Sequence, residues 1–128
     1  MVTGVCKRTL LCVDDNQVAL DLRKQVLESF GYSVLIASDS IAALEVFSSS
    51  DVDLVISDHL LQGSTGTQLA AAMKKLRPDI PIAIISGLPE APPDMEHADL
   101  FICKAESIPE VVQKISELLD RRRNGHHE

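Results

Sequence analysis

The sequence has no tryptophan, one tyrosine and three phenylalanines in 128 residues. So few rings leave little to stack on a flavin. Basic charge is short as well: twelve Lys and Arg face nineteen Asp and Glu, a net charge of −7. A surface of that sign argues against non-specific nucleic-acid binding. No apolar run approaches the ~20 residues of a membrane-spanning helix. The opening stretch, MVTGVCKRTLL, leads straight into a strand pattern with no signal-peptide cleavage region, so the cytoplasm is the expected compartment. Cysteine is scarce: Cys6, Cys12 and Cys103 are odd in number, and their spacings match no zinc motif. Reduced thiols are expected, with Cys12 and Cys103 packed in strands.

What the chain does have is apolar runs. Hydrophobic residues make up 45% of it, enough at this length for one core in one domain. Five runs read as strands: Thr9–Val13, Ser33–Ala37, 54–57, 82–85 and Leu100–Cys103. They are apolar throughout, which predicts a parallel sheet with helices on both faces. Helix one carries Val18, Leu22 and Val26 at four-residue spacing, with Leu27 and Phe30, and Gly31 caps it in a left-handed conformation. Helix two starts near Ser38 or Asp39, shows Ile41, Leu44 and Phe47, and stops at the serine run 48–50. Helix three has the stripe Leu69, Ala72, Met73 and Leu76, closed by Arg77-Pro78.

The last helix opens on Ser107-Ile-Pro-Glu110, a capping box with Pro109 in the first turn. Its core face is Val112, Ile115 and Leu119, beside Val111 and Leu118, and the arginine run 121–123 complements the dipole at its end. Another helix belongs between strands four and five. The segment there, 87–98, holds Pro89, Pro92 and Pro93 instead. Proline inside a helix costs ~3 kcal/mol, so at most one turn around 94–97 is expected. The expected fold is α/β: a flavodoxin-like, doubly wound (βα)5 unit with a parallel five-stranded sheet, order 2-1-3-4-5, and the fourth helix truncated or missing.

Four polar sites end four of these runs: Asp14-Asp15, Asp58, Ser86 and Lys104. In an open parallel sheet all carboxyl ends lie on one edge, where ligands bind. The fold therefore gathers three carboxylates, a hydroxyl and an ammonium. That set suits a divalent cation with hard oxygen ligands and a phosphoryl group. Each position also has a plainer reading. Asp14-Asp15 would serve as cap and first-turn acid of helix one. Asp58 would be a loop carboxylate, Ser86-Gly87 a turn, Lys104 a solvated lysine and Phe101 ordinary core. His59 reads as solvent-facing.

With these residues in this order, the chain resembles the response-regulator receiver domain of two-component signalling, of the chemotaxis single-domain type. The resemblance covers about residues 7–122, and 123–128 are expected as a disordered tail. It implies that Asp58 attacks the phosphorus of a phosphohistidine and becomes an acyl phosphate. It implies Mg2+ held by Asp15, Asp58 and the backbone carbonyl of Leu60, with Asp14 acting mainly through water. Lys104 would pair with Asp58 and then with the phosphoryl group, Ser86 would turn its hydroxyl to a phosphoryl oxygen, and Phe101 would be the aromatic switch. Leu60 and Leu88 would flank the path of the hydrolytic water and slow dephosphorylation. The implied donor is a sensor histidine kinase or histidine phosphotransfer protein, docking around helix one and the loop after strand five.

Three departures from the family stand out. The Ser86–Lys104 interval is short and proline-rich, which puts in doubt the dimerisation and output role that the fourth helix, fifth strand and fifth helix carry in many receivers. Ala105 replaces a proline that follows a cis bond in the family, and a cis bond before a non-proline costs ~2.5–4 kcal/mol, so a trans bond is expected. Gln62 replaces another proline, while Gly66 stays in place. The leading expectation is a receiver without an output domain, not an enzyme beyond its own phosphorylation and slow autodephosphorylation. It would signal by contact with a downstream protein as a monomer or weak dimer, without direct nucleic-acid or membrane binding. The alternative is a pseudo-receiver, an interaction module that is never phosphorylated. A flavin carrier would need a glycine-rich phosphate loop where Asp-Asp-Asn stands, and a haloacid-dehalogenase phosphatase would need Asp-x-Asp; both are absent.

Overall fold

Every apolar run named above is a strand of one parallel sheet. The computed structural model describes the backbone of residues 8–125 and the side chains of 8–121; Cys6, Lys7 and 126–128 lie outside the described residues. Strand β1 (Thr9–Val13) leads to α1 (Gln17–Ser29), β2 (Ser33–Ala37), α2 (Ser40–Ser49) and β3 (Leu54–Asp58). Two short strands, β4 (Leu60–Leu61) and β5 (Ser64–Thr65), precede α3 (Gly66–Leu76) and β6 (Ile82–Ser86). A 3-10 turn at Met95–His97, β7 (Leu100–Cys103) and α4 (Ile108–Gly125) complete the order. The main sheet runs β2-β1-β3-β6-β7, all parallel, which is the expected 2-1-3-4-5 order. The tail expected from residue 123 overlaps the last turn of α4.

Alternation along the strands builds two cores, one on each face. Leu11, Val13, Val55, Ile82 and Ile84 meet Phe47 of α2 and Leu69 and Met73 of α3. Leu10, Cys12, Ile56, Ile85 and Ile102 meet Leu20 and Leu27 of α1 and Ile115 and Leu119 of α4. Burial pushes the Cys12 thiol up to about 12, so it is a packing group rather than a nucleophile at neutral pH. Among the described residues no helix is long and apolar enough to cross a membrane.

The helix ends follow their sequence signals. Asn16, not Asp14 or Asp15, caps α1 by accepting from the Ala19 N–H at 3.1 Å. Gly31 ends that helix at φ +98°, with Tyr32 N–H bonded to the Leu27 carbonyl and Gly31 N–H to Glu28. Ser107 and Glu110 form the expected capping box of α4. A second box, Thr65 with Gln68, opens α3.

Helix α1 corrects the expected core face. Val18 is 77% exposed and Leu22 61%, and Phe30 is exposed too, while Leu20 and Leu27 are buried. The sheet-facing stripe includes Arg23 and Lys24. Their stems cover apolar surface and their heads bond Asp14 and the Val34 carbonyl. On α2 and α3 likewise, Ile41 and Leu76 are exposed, and Ala43 and Ala70 take the buried places.

The interval 87–98 holds no α-helix, only the 3-10 turn. Its far end is fastened down. The Thr67 hydroxyl donates to Asp94 at 2.7 Å and holds that carboxyl below its ordinary range. Asp99 takes Lys74 Nζ at 2.7 Å and the Ile82 N–H at 2.8 Å. No peptide bond among the described residues is cis, including the one before Ala105.

Candidate functional site

Parallel pairing places Asp14, Asp58, Ser86 and Lys104 just at or beyond the carboxyl ends of β1, β3, β6 and β7, four neighbours in the sheet. The fold thus brings the predicted groups to one edge. One carboxylate oxygen from each of Asp14, Asp15 and Asp58 lies within 4.8 Å of the other two. Oxygen ligands of one Mg2+ lie about 3 Å apart when adjacent and about 4 Å when opposite, so this spacing is close to what such an ion requires. Asp14, Asp58 and Ser86 are buried and Asp15 is exposed. The cluster therefore sits at the surface of the sheet edge, with Asp15 on its solvent side.

Two cations face the three carboxylates. Lys104 Nζ lies 2.8 Å from Asp58 Oδ1, although the lysine side chain is 42% exposed. Arg23 reaches up from α1 to Asp14 Oδ2 at 3.4 Å, and the Asn16 N–H binds Asp14 Oδ1 at 3.0 Å. The sequence reading missed Arg23, which stands nine residues from Asp14 on α1.

Ser86 Oγ accepts from the Leu88 N–H at 3.2 Å, so its hydroxyl is engaged in a local turn. Phe101 is half-buried in β7, in register with Ile84. Leu60, at the start of β4, is 66% exposed and Leu88 64%. The hairpin β4–β5, with Gly63 at φ +82° in its turn, follows Asp58 directly and was not foreseen. His59 is half-buried rather than solvent-facing. Its backbone bonds Ile85 and Gly66, and its Nδ1 is buried with no hydrogen-bond partner among the described residues.

Gly66 opens α3 against the end of β3. Its N–H bonds the His59 carbonyl at 2.7 Å, and a Cβ there would lie 2.5 Å from the Asp58 carbonyl oxygen. The absent side chain lets the helix end sit under the residue that carries the central carboxylate.

Beside this edge, α1 and α4 leave a mostly apolar cleft of about 310 Å3 between them. Leu22, Val26, Ile108 and Val112 line it, and Lys104 lies at its rim.

The comparisons agree with this geometry. Residues 10–116 match the family model described as the response regulator receiver domain. The transcriptional regulatory protein GlrR of Escherichia coli is 40% identical over 77 residues, which are 60% of this chain; the match spans 17% of that protein's length. A CheY-like receiver domain protein of Methanospirillum hungatei superposes with a TM-score of 0.86 at 29% identity, covering 94% of this chain and 99% of that one. The response regulator TrrA of Thermotoga maritima, in complex with Mg2+-BeF, superposes with a TM-score of 0.81 at 27% identity, over 87% and 98% of the two chains. TrrA was also solved with the histidine kinase ThkA, with a TM-score of 0.81 at 28% identity over 88% and 98%. With its sheet order, its edge of charged groups and a family match over most of its length, the chain belongs to the response regulator receiver domains of two-component signalling.

Proposed function

We propose that the chain accepts a phosphoryl group on Asp58 from a histidine kinase or histidine phosphotransfer protein, in a Mg2+-dependent reaction, and signals by protein contact. One observation carries the reading: a buried carboxylate holds an ammonium at 2.8 Å within a trio of carboxylates spaced for a divalent ion. A carboxylate oxygen of Asp58 would form the new O–P bond as the P–N bond to the donor imidazole breaks; the imidazole keeps that electron pair and takes a proton. Such transfer needs alignment and charge neutralisation more than acid-base work. Asp15, Asp58 and the Leu60 carbonyl would hold Mg2+, with Asp14 acting mainly through water. The ion, when bound, supplies positive charge beside the phosphoryl oxygens. Lys104 holds one oxygen of the nucleophile beforehand and would follow the charge onto the phosphoryl group.

Ser86 would give up its bond to Leu88 and turn to a phosphoryl oxygen, and Phe101 would move inward behind it. The cleft between α1 and α4 offers an apolar seat beside Lys104 for the donor protein, with Leu22 exposed on its α1 side. TrrA, the relative solved with a histidine kinase, supports that class of partner.

The test is intact-protein mass after incubation with acetyl phosphate, with and without Mg2+. A single phosphoryl adduct, dependent on Mg2+ and absent in Asp58→Ala, is expected. Adduct formation unaffected by Asp58→Ala would place the chemistry elsewhere. No adduct from acetyl phosphate or from a phosphorylated donor protein would leave an interaction module that is never phosphorylated.

A second expectation concerns lifetime. Leu60 and Leu88 offer no hydrogen bond to a hydrolytic water, so the acyl phosphate should persist. Leu60→Asn supplies an amide and is expected to shorten the lifetime severalfold, followed by decay of the mass adduct. A short lifetime in the parent chain, unchanged in the variant, would refute the shielding role.

A further inference from the structure

Lys104 has to hold its ammonium on Asp58 from an unpromising place. It follows the last residue of β7, in a turn, with a side chain too exposed for packing to fix it. Ala105 brings no ring to stiffen the turn. Rotamer freedom in a lysine is worth up to ~2 kcal/mol, so the direction of the side chain depends on how firmly its backbone is held.

The turn is held by Glu106. The Glu106 N–H donates to the Cys103 carbonyl at 3.0 Å, and the Cys103 N–H donates back to Glu106 Oε2 at 2.8 Å. These two bonds close a ring around Lys104 and Ala105. The second is available because β7 is an edge strand. Lys104 N–H points inward to the Ser86 carbonyl at 2.7 Å, so the N–H of Cys103 points to the open edge, where no strand receives it. The other carboxylate oxygen, Oε1, pairs with Lys114 Nζ on α4. Glu106 therefore ties the edge strand, the turn and the helix to one another.

We propose that Glu106 is the positioning residue for Lys104: its carboxylate fixes the 103–106 turn so that the ammonium rests on Asp58. This rests on the phosphoryl-acceptor reading for its consequence, though not for its geometry. Glu106→Ala frees the Cys103 N–H and the turn, and Lys104 then leaves Asp58 for solvent part of the time. Glu106→Gln keeps an oxygen for the Cys103 N–H and loses only the charge pairing with Lys114.

Two readouts in the full chain decide the matter, each in the parent and in a Lys104→Met background: adduct formation from acetyl phosphate by intact mass, and Mg2+ affinity by calorimetric titration. Glu106→Ala is expected to slow uptake about tenfold, in line with displacement of a catalytic group by a fraction of an ångström. It should also tighten Mg2+ binding severalfold, because the competing ammonium is loosened. Both effects should vanish in the Lys104→Met background, since a residue that acts through Lys104 has nothing left to position. Glu106→Gln should recover most of the parent rate. Equal losses in both backgrounds would mark Glu106 as merely structural and overturn the proposal, as would no change in either readout. A parent chain that binds Mg2+ but takes up no phosphoryl group would defeat the functional reading, and the Mg2+ titrations would still decide whether Glu106 positions Lys104.

Discussion

Gly66→Ala is expected to lower the melting temperature by roughly 10 °C and to slow phosphoryl uptake further than unfolding explains, whereas Gly87→Ala leaves both unchanged. The two positions separate steric space from backbone freedom. Neither has a positive φ, so neither depends on glycine for its conformation. A Cβ at Gly87 meets nothing within 4 Å. A Cβ at Gly66 meets the Asp58 carbonyl oxygen at 2.5 Å, and Ile84 Cδ1 and Ser57 Oγ at 3.1 Å. A side-chain tip can yield, but a carbonyl in a central strand cannot without moving its residue. Ser57 Oγ also donates to the same carbonyl at 2.9 Å, and Gly66 N–H to the next one, so a shift of the helix end breaks bonds on both sides. Forced overpacking of this kind costs ~3 kcal/mol, and each kcal/mol lowers the melting point of a domain this size by about 3–5 °C. Thermal melts by far-UV circular dichroism suit a chain without tryptophan. Equal melting points for the two variants would show that the α3–β3 approach is looser than 2.5 Å implies.

Much of this arrangement was legible in the chain, for identifiable reasons. Strands buried on both faces announce themselves as unbroken apolar runs, and the parallel-sheet rule then places their carboxyl ends together, so the pattern alone assembles Asp14, Asp58, Ser86 and Lys104. Three prolines sufficed to remove a helix. The errors came where a side chain has two characters. Arg23 and Lys24 lie on the sheet-facing side of α1 by virtue of their stems, so purely apolar periodicity points to Val18 and Leu22 instead, which are exposed. The hairpin β4–β5 was invisible because two-residue strands carry no period. Asn16 was overlooked as the helix cap because the acidic pair before it drew attention. Glu106 escaped for a similar reason: the capping box one residue later explains the local pattern of Ser107 and Glu110, and nothing in sequence says that an edge N–H three residues back will need an acceptor. Thr67 and Asp94 are separated by 27 residues, and only folding brings them together.

Lys104→Met is expected to slow phosphoryl uptake about a hundredfold while raising Mg2+ affinity about tenfold, two changes of opposite sense from one lost charge. On the proposed reaction, the ammonium at 2.8 Å from Asp58 Oδ1 would stabilise charge that moves onto the phosphoryl oxygens as the O–P bond forms, and a pre-placed donor of that sort is worth about two orders of magnitude in rate. In the resting site the same ammonium would repel a divalent ion held by the neighbouring carboxylates. Half-exposure of the lysine screens that repulsion, so the gain in Mg2+ affinity stays modest. Arg23→Met provides the contrast. Its guanidinium pairs with Asp14 rather than with Asp58, so removing it should also tighten Mg2+ binding. It should leave the uptake rate at saturating Mg2+ within a few fold of the parent, since Lys104 and Asp58 keep their pairing. Methionine preserves the stem in both variants, which confines the change to charge. Titration calorimetry with Mg2+ and adduct formation from acetyl phosphate give the two axes. If Lys104→Met lost Mg2+ affinity together with rate, the lysine would be holding the pocket together rather than competing with the ion, and the division of labour between the two cations would be wrong. If Arg23→Met lost rate as steeply as Lys104→Met, both cations would serve the transferring group, and the site would extend to the α1 face of Asp14.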